Sequence, residues 1–446
     1  MISTPQLVRA NQETSQVVTC STTDRLVERF PISVVFFYRE ELSEKLLIEA
    51  LREVLVDFPL FSGRLKIVDS DLLIDCNNQG VQFSLGLEDC TLIQTIRNIA
   101  HAKLQALVDS FVAEDALAGH SPLLTIRLTK FSYGGTALGI CWHHSIGDMH
   151  TFMQFMNAWS AITNEKRYTP PLIVEDRDAY LLQRVAKNKN VGAKVRYLKA
   201  AELLRLTLYM VTTGRRKTST KIYFSDSEIE NMKKVFLEKT GQTLSKNDVL
   251  CAHVFNVITN LDNYNKDRRL VIILNYRNRI GLPQNLLGNL VDTINLPFPL
   301  GASPFEVASA IREGVNSFES KHLSAMSNYQ YIQDRGGMKK GGRFLGRSID
   351  PIKRTITMTN WSKFGVYEVN FLDAKPLFFA SVDEFPTPWI CTLVEGFSNQ
   401  GIIFSAHLPA KLIRKLERPN SLKQLHQYRD ADEHRSALVE SLAWLH

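Results

Sequence analysis

Two adjacent histidines and an aspartate are the residues of this chain best suited to chemistry. His143 and His144 follow an apolar run, Thr136–Trp142, with the length and composition of a buried strand. Asp148 comes four residues after His144, beyond a short polar turn. An imidazole with the ordinary pKa of about 6.5 is mostly neutral at pH 7, so it can take the proton of an alcohol or amine that attacks an acyl group. The pattern therefore suggests general-base catalysis.

The same residues also have a purely structural interpretation. A histidine at a strand end can be no more than a hydrogen-bonded part of the fold. A helix is predicted to start near Asp148, which could simply be its N-cap. Apolar residues recur at helical spacing after it: Met149, Phe152, Met153, Met156 and Trp159. The residue types alone leave both interpretations open.

The motif resembles that of a known family. His144-Ser-Ile-Gly-Asp148 resembles the HxxxD motif of the BAHD acyltransferases, a CoA-dependent family known mainly from plants and fungi. With His143 included, it is also similar to the HHxxxD motif of the condensation domains of nonribosomal peptide synthesis. Other segments resemble BAHD motifs in the same order along the chain: Ser21–Asp24, Phe58–Leu65, Leu244–Asp248, Asn275–Arg279, Leu287–Asn289 and Thr359–Trp361. The resemblance therefore spans nearly the whole chain.

Two positions depart from the family pattern. Met149 stands where the family usually has glycine after the motif aspartate. Asn370-Phe-Leu-Asp-Ala374 stands at the place of the plant signature Asp-Phe-Gly-Trp-Gly and keeps only its phenylalanine. We therefore interpret the chain as an outlying member, whose substrates do not follow from those of the plant enzymes.

The resemblance also implies a fold. It predicts an α/β protein of two chloramphenicol-acetyltransferase-like domains, with mixed sheets flanked by helices and an active-site tunnel at their interface. The predicted units are an N-terminal domain at 1–185, a crossover linker at 186–220 and a C-terminal domain at 221–446. A segment at about 370–395 is expected to return and complete the first sheet. The alternation of strand and helix patterns in the first third agrees with an α/β class.

For the reaction, the resemblance implies transfer of an acyl group from acyl-CoA to a hydroxyl or amine of a small-molecule acceptor. His144 would be the general base, and the indole N–H of Trp361 would stabilise the tetrahedral oxyanion. Asp148 would hold the turn by pairing with an arginine. Arg277 and Arg279 are both candidates, because they lie two apart on a predicted strand and so share one face.

A second group of residues is assigned to substrate or CoA binding: His143, Ser245, Thr359, Lys339, Lys340 and Arg343. The last three lie in a basic, glycine-dense stretch, Asp334–Arg347, which lacks the ending of a phosphate-binding P-loop. It could contact the phosphates of an acyl carrier or be a plain solvated loop. Acyl-CoA is expected as co-substrate, with no permanently bound cofactor and no metal.

Composition narrows the class of protein. The chain has 446 residues, of which 44% are hydrophobic, and a formal charge of +7, which suits an anionic ligand but is too small to argue for nucleic acid. The six cysteines have no metal-binding spacing, and we interpret them as free thiols in a reducing compartment. Neither a signal-peptide core nor a membrane span is evident. We expect a cytoplasmic monomer.

Three alternatives remain open. A condensation-type enzyme would take its acyl group from a carrier protein and use the same histidine. A non-catalytic relative would only bind a ligand or partner, although the intact motif speaks against this. The apolar run Val195–Val211, predicted as a helix and surrounded by lysines and arginines, could instead contact a membrane surface or phosphates, or be a solvated crossover.

Overall fold

Two six-stranded mixed sheets, each flanked by helices, organise the chain in the computed structural model. The structure describes residues 4–97, 104–184, 192–319, 322–382, 385 and 387–430, without the side chains of residues 97 and 340. The two-sheet α/β architecture confirms the predicted fold class. Each sheet has its own apolar core, and the two cores account for most of the buried hydrophobic residues.

Within the described ranges, the strands β1 to β17 are Gln6–Val8, Val17–Thr19, Ile32–Tyr38, Arg64–Val68, Asp71–Asp75, Val81–Glu88, Leu124–Phe131, Thr136–Trp142, Val195–Tyr197, Lys217–Phe224, Arg268–Asn275, Val291–Phe298, Phe344–Gly346, Ile356–Asn360, Pro376–Val382, Ile390–Glu395 and Ile402–Pro409. The helices α1 to α13 are Thr22–Leu26, Glu44–Asp57, Leu92–Arg97, Ala113–Leu117, Met149–Thr163, Arg177–Arg184, Ala200–Tyr209, Asp226–Thr240, Lys246–Leu261, Pro304–Asn316, Ala325–Gln333, Ala410–Leu416 and Pro419–Leu425.

The first sheet has the order β1-β6-β7-β8-β3-β15. Strands β3 and β8 are buried along their whole length, which explains why they read as continuous apolar runs. Helix α5 follows β8 and packs back beside it, with the Trp142 and Phe152 rings stacked at 4.0 Å between centroids. The predicted strand and the predicted helix start at the histidine turn are both confirmed.

The second sheet has the order β10-β17-β16-β14-β11-β12. The segment predicted to complete the first sheet is divided between the two sheets. Pro376–Val382 pairs with β3 of the first sheet, whereas Ile390–Glu395 pairs with β14 and β17 of the second. The segment predicted to join the first sheet, about 370–395, was therefore too long, because its second strand belongs to the other sheet. The predicted domain bounds stay a prediction.

The prediction of one helix over Val195–Val211 was wrong at its start. Val195–Tyr197 is a strand that pairs antiparallel with Phe344–Gly346. Helix α7 begins only at Ala200, where the Glu202 side chain accepts the backbone N–H of Lys199 at 2.9 Å. The pairing partner lies far along the chain, so helical spacing alone could not reveal it.

Candidate active site

The turn between β8 and α5 is held in one shape by hydrogen bonds within it. The indole N–H of Trp142 donates to the Gly147 carbonyl at 3.2 Å, and the Ile146 N–H donates to the His143 carbonyl at 3.0 Å. A Cβ on Gly147 would lie 2.5 Å from the Cβ of Thr151, so only glycine fits there. The strand end, the turn and the helix start therefore form one rigid unit.

Asp148 is both the N-cap of α5 and one half of a buried ion pair. Its side chain accepts the Thr151 N–H at 2.9 Å and the Leu290 N–H at 3.0 Å. Arg277 donates to both carboxylate oxygens, at 2.8 and 3.2 Å. Burial raises the pKa of Asp148, but the charge and hydrogen bonds of Arg277 and the Thr151 N–H outweigh it, so the pKa is lowered. The carboxylate is therefore charged and fixed.

Arg277 and Arg279 do not share a strand face, contrary to the prediction. Strand β11 ends at Asn275, whose side-chain oxygen accepts the Arg277 N–H at 3.0 Å and turns the chain into a short 3₁₀ helix, Arg277–Arg279. Arg277 is fully buried against Asp148. Arg279 points elsewhere and donates to the Val315 carbonyl at 2.6 Å. Of the two, only Arg277 pairs with the motif aspartate.

A second buried ion pair holds the same turn from the other side. Arg177, at the start of α6, donates to Asp24 at 2.9 Å. Its guanidinium also donates to the carbonyls of Ser145 and Ile146, at 2.9 and 2.8 Å. Asp24 in turn belongs to the capping box of α1. The two arginines therefore fix the backbone on both sides of the turn.

The segment Gly288–Leu290 completes this frame. The Asn289 side-chain amide donates to the His144 carbonyl and to Asp24, both at 2.7 Å. The Gly288 carbonyl accepts from the Arg277 guanidinium at 3.0 Å. Residues from both halves of the chain thus converge on the backbone of His144.

The two histidines have different surroundings. His143 is fully buried, its ring is stacked on Phe111 at 6.1 Å, and its Nδ1 accepts the Ser145 N–H at 3.2 Å. Burial lowers the pKa of His143 to about 3, so its ring stays neutral. His144 is half-buried and its Nδ1 is enclosed, which leaves Nε2 for the cavity.

Burial also lowers the pKa of His144. The backbone carbonyls of His144 and Gly147 and the carboxylates of Asp148 and Asp24 oppose that effect without cancelling it. The ring is therefore neutral at pH 7 and has a lone pair to accept a proton. A histidine in this state can act as a general base.

His144 lies in the wall of a cavity of about 260 Å³ between the two sheets. The first half of the chain contributes apolar side chains that include Leu26, Val27 and Phe30, and the second half contributes Val291 and Ile390. A largely apolar wall with a few polar groups is usual for small-molecule sites.

The other candidate residues divide into two groups. Thr359 and Trp361 line the cavity at the end of β14. Ser245 is instead the N-cap of α9 and accepts the Asp248 N–H, outside the residues that line the cavity. Lys339 is exposed, and Arg343 donates to the Tyr197 hydroxyl at 3.3 Å. The Lys340 side chain lies outside the described residues.

Several residues at the site were not predicted. His150, on the first turn of α5, lines the cavity, and its Nε2 is 2.8 Å from the Gln284 carbonyl. The Tyr276 hydroxyl is buried at the cavity wall with no hydrogen-bond partner among the described residues. Arg177 is a lone arginine outside any motif, so no sequence signal could have identified it.

Two negative findings concern the residues that the structure describes. No group of three or more histidine, cysteine, aspartate or glutamate side chains there could hold a metal ion. No helix in those ranges is long and apolar enough to cross a membrane.

Comparison with known proteins assigns the class. The model of the transferase family matches residues 2–422. Akuammiline synthase 1 of Alstonia scholaris is 24% identical over 413 residues, which cover 90% of this chain and 89% of that protein. Shikimate O-hydroxycinnamoyltransferase of Nicotiana tabacum is 24% identical over 379 residues, which cover 80% of this chain and 84% of that protein. The chain belongs to the transferase family, the family of the BAHD acyltransferases. It is an acyl-CoA-dependent acyltransferase that acts on small-molecule acceptors.

Solved structures agree on the fold. Vinorine synthase superposes with a TM-score of 0.71 at 18% identity, covering 98% of this chain and 99% of that one. TRI101 of F. graminearum, solved with ethyl coenzyme A, gives a TM-score of 0.75 at 12% identity, covering 91% and 98%. A condensation domain of the MokA polyketide synthase gives a TM-score of 0.60 at 12% identity, covering 96% of this chain and 100% of that one.

Proposed function

We propose that His144 is the general base of the acyl transfer and that the acceptor is a largely apolar molecule with one hydroxyl or amine. The observation that carries the proposal is the placement of His144, a neutral imidazole with a fixed backbone in the wall of an apolar cavity. Asp148 and Arg277 act as positioning residues, because they hold the turn and do not touch the proton.

The acceptor hydroxyl gives its proton to His144 Nε2 while its oxygen attacks the thioester carbonyl carbon of acyl-CoA. The resulting oxyanion needs a hydrogen-bond donor, for which the Trp361 indole N–H is the candidate. Collapse breaks the C–S bond, and the imidazolium returns the proton to the leaving thiolate. The products are the ester and free CoA, and the imidazole is restored.

The direct test is turnover with free acyl-CoA. We expect release of CoA thiol that depends on an added apolar alcohol or amine, measured over a panel of acyl-CoAs with no carrier protein present. Turnover that occurs only when the acyl group is attached to a carrier protein would favour a condensation-type enzyme instead. If acyl-CoAs give neither turnover nor a thermal shift, the proposal is wrong.

The pH profile offers a second test. Because burial lowers the pKa of His144 below its usual value, the base stays neutral further into the acidic range. We expect the acidic limb of kcat/KM to have its midpoint below about 6.5, the ordinary imidazole pKa. The melting temperature over the same range is the control for unfolding. An acidic limb whose midpoint lies above the ordinary imidazole pKa of about 6.5 would contradict a buried His144 base.

Three expectations from the sequence stay predictions. These are the cytoplasmic location, the monomeric state and a contact of Lys339, Lys340 and Arg343 with carrier phosphates. Arg343 is engaged with Tyr197, and neither Lys339 nor Arg343 is among the residues that line the cavity.

A further inference from the structure

Helix α7, Ala200–Tyr209, has an apolar face that points into solvent. Leu204 is 69% exposed, Leu208 62% and Val211, just beyond the helix, 51%. These residues are spaced by four and three, so they lie on one side of the helix. Ala200, Ala201 and Thr207 flank them and are also exposed, which leaves the middle of the face without a charge. Water is a poor environment for such a face.

The opposite side of α7 attaches the helix to the protein. Glu202 forms an ion pair with Arg196 at 2.8 Å, and the Tyr209 hydroxyl accepts the Trp389 indole N–H at 3.2 Å. Leu203 and Leu206 are half-buried on this side. The helix is therefore presented in a fixed orientation with its leucines outward.

Exposed cations surround the apolar face. Arg205 lies at its edge, and Arg215 and Arg216 lie just after its C-terminal end. Within the described residues, no acidic side chain pairs with any of these three arginines. Lys199, just before the N-terminal end of α7, is a fourth exposed cation. An uncharged apolar centre with a cationic margin matches an amphipathic helix that lies in the interface of an anionic membrane.

We propose that the α7 face, formed by Leu204, Leu208 and Val211 with Arg205, Arg215 and Arg216, docks on an anionic lipid surface. A helix of ten residues is about 15 Å long, half the roughly 30 Å of a bilayer core, so it lies on the surface and does not span it. A second copy of the chain fits this face less well. In a two-fold dimer each patch meets itself, which would bring the same arginines together.

The docked helix would lie close to the cavity. Val195, five residues before α7, lines the cavity. Ile390 lines the cavity as well, and its neighbour Trp389 donates the hydrogen bond to Tyr209 of α7. A lipid surface at α7 would therefore be near the cavity that receives the apolar acceptor. The docking itself does not depend on the chemistry at His144.

The test is flotation of the full-length protein with two kinds of vesicle, phosphatidylcholine alone and phosphatidylcholine with phosphatidylserine in equal parts. We expect binding to the anionic vesicles, and little to the neutral ones, at low ionic strength. L204S/L208S should lower the partition coefficient at least about tenfold, because two leucines lose their transfer to the lipid. R215Q/R216Q should lower it about fivefold for each cation removed.

The matched control is L237S/L300S, which removes two exposed leucines elsewhere, one on α8 and one in a loop after β12. It should leave partitioning unchanged, and all variants should keep the wild-type melting temperature. No flotation of the wild type, equal binding to both vesicles or an equal loss in the control would each overturn the proposal. A wild-type dimer that L204S/L208S converts to monomer would also overturn it, since the face would then belong to a second copy.

Discussion

Replacing His144 with alanine should leave the fold intact and lower kcat/KM by about 10²–10⁴-fold, the usual loss when a general base is removed. Only the imidazole ring is deleted, while the backbone of the turn keeps its bonds to Asn289 and Arg177. Acyl transfer to a suitable alcohol, followed by release of CoA thiol, measures the effect. Circular dichroism and the melting temperature show whether the fold is retained.

His150→Gln is the matched control, because His150 is the second histidine found in the cavity wall. Its Nε2 is engaged by the Gln284 carbonyl, so it should tolerate the change with a much smaller loss of activity. His143→Ala should chiefly lower the melting temperature, because the buried ring packs on Phe111. If His150→Gln is as inactive as His144→Ala, or if His144→Ala keeps more than a tenth of wild-type turnover, His144 is not the base.

Replacing Asp148 with asparagine should cause both a large loss of activity and a lower melting temperature. Asparagine caps a helix about as well as aspartate, so a simple cap would be unaffected. Here the change leaves the buried Arg277 guanidinium without its counter-charge, which costs about 3–5 kcal/mol. A shift of the turn by about 1 Å can then cost 10²-fold in rate. Denaturant unfolding and kcat together measure the two effects.

Asp248→Asn separates the catalytic consequence from the structural one. Asp248 also combines a capping role with an ion pair, to the half-buried Arg312, but it does not line the cavity. Its replacement should lower stability and leave the kcat of the folded enzyme nearly unchanged. Neutralising Arg277 in the Asp148→Asn background should restore stability only in part, since Arg277 also donates to the carbonyls of Leu286 and Gly288. Full activity in Asp148→Asn would reduce this residue to a helix cap.

The sequence was informative where a local pattern determines the structure. The apolar run before His143 and the helical spacing after Asp148 identified β8, the turn and α5, because both periods are set by neighbouring residues. Ser245 and Asp248, three residues apart, form the capping box of α9. The motif resemblance led to the family that the comparisons show.

The sequence was misleading where a single side chain or a distant segment determines the local structure. The spacing of Arg277 and Arg279 suggested one strand face, but the Asn275 side chain ends the strand and sends them apart. Val195 reads as helical and becomes a strand only because residues near 345 pair with it. The contact of Arg177 with Asp24 spans 153 residues and has no local signature. Such contacts depend on tertiary structure, which a single sequence does not display.

The insertion of β15 into the first sheet has a consequence for biosynthesis. Strand β3 is buried along its whole length, and β15 covers its outer edge from a point far towards the C-terminus. On the ribosome, the backbone N–H and C=O groups along this edge of β3 stay unpaired until Pro376–Val382 has emerged. Unpaired edges of this kind attract strands of other chains. Nascent chains should therefore need protection by chaperones, and a truncation that removes β15 should yield aggregates rather than an isolated N-terminal half.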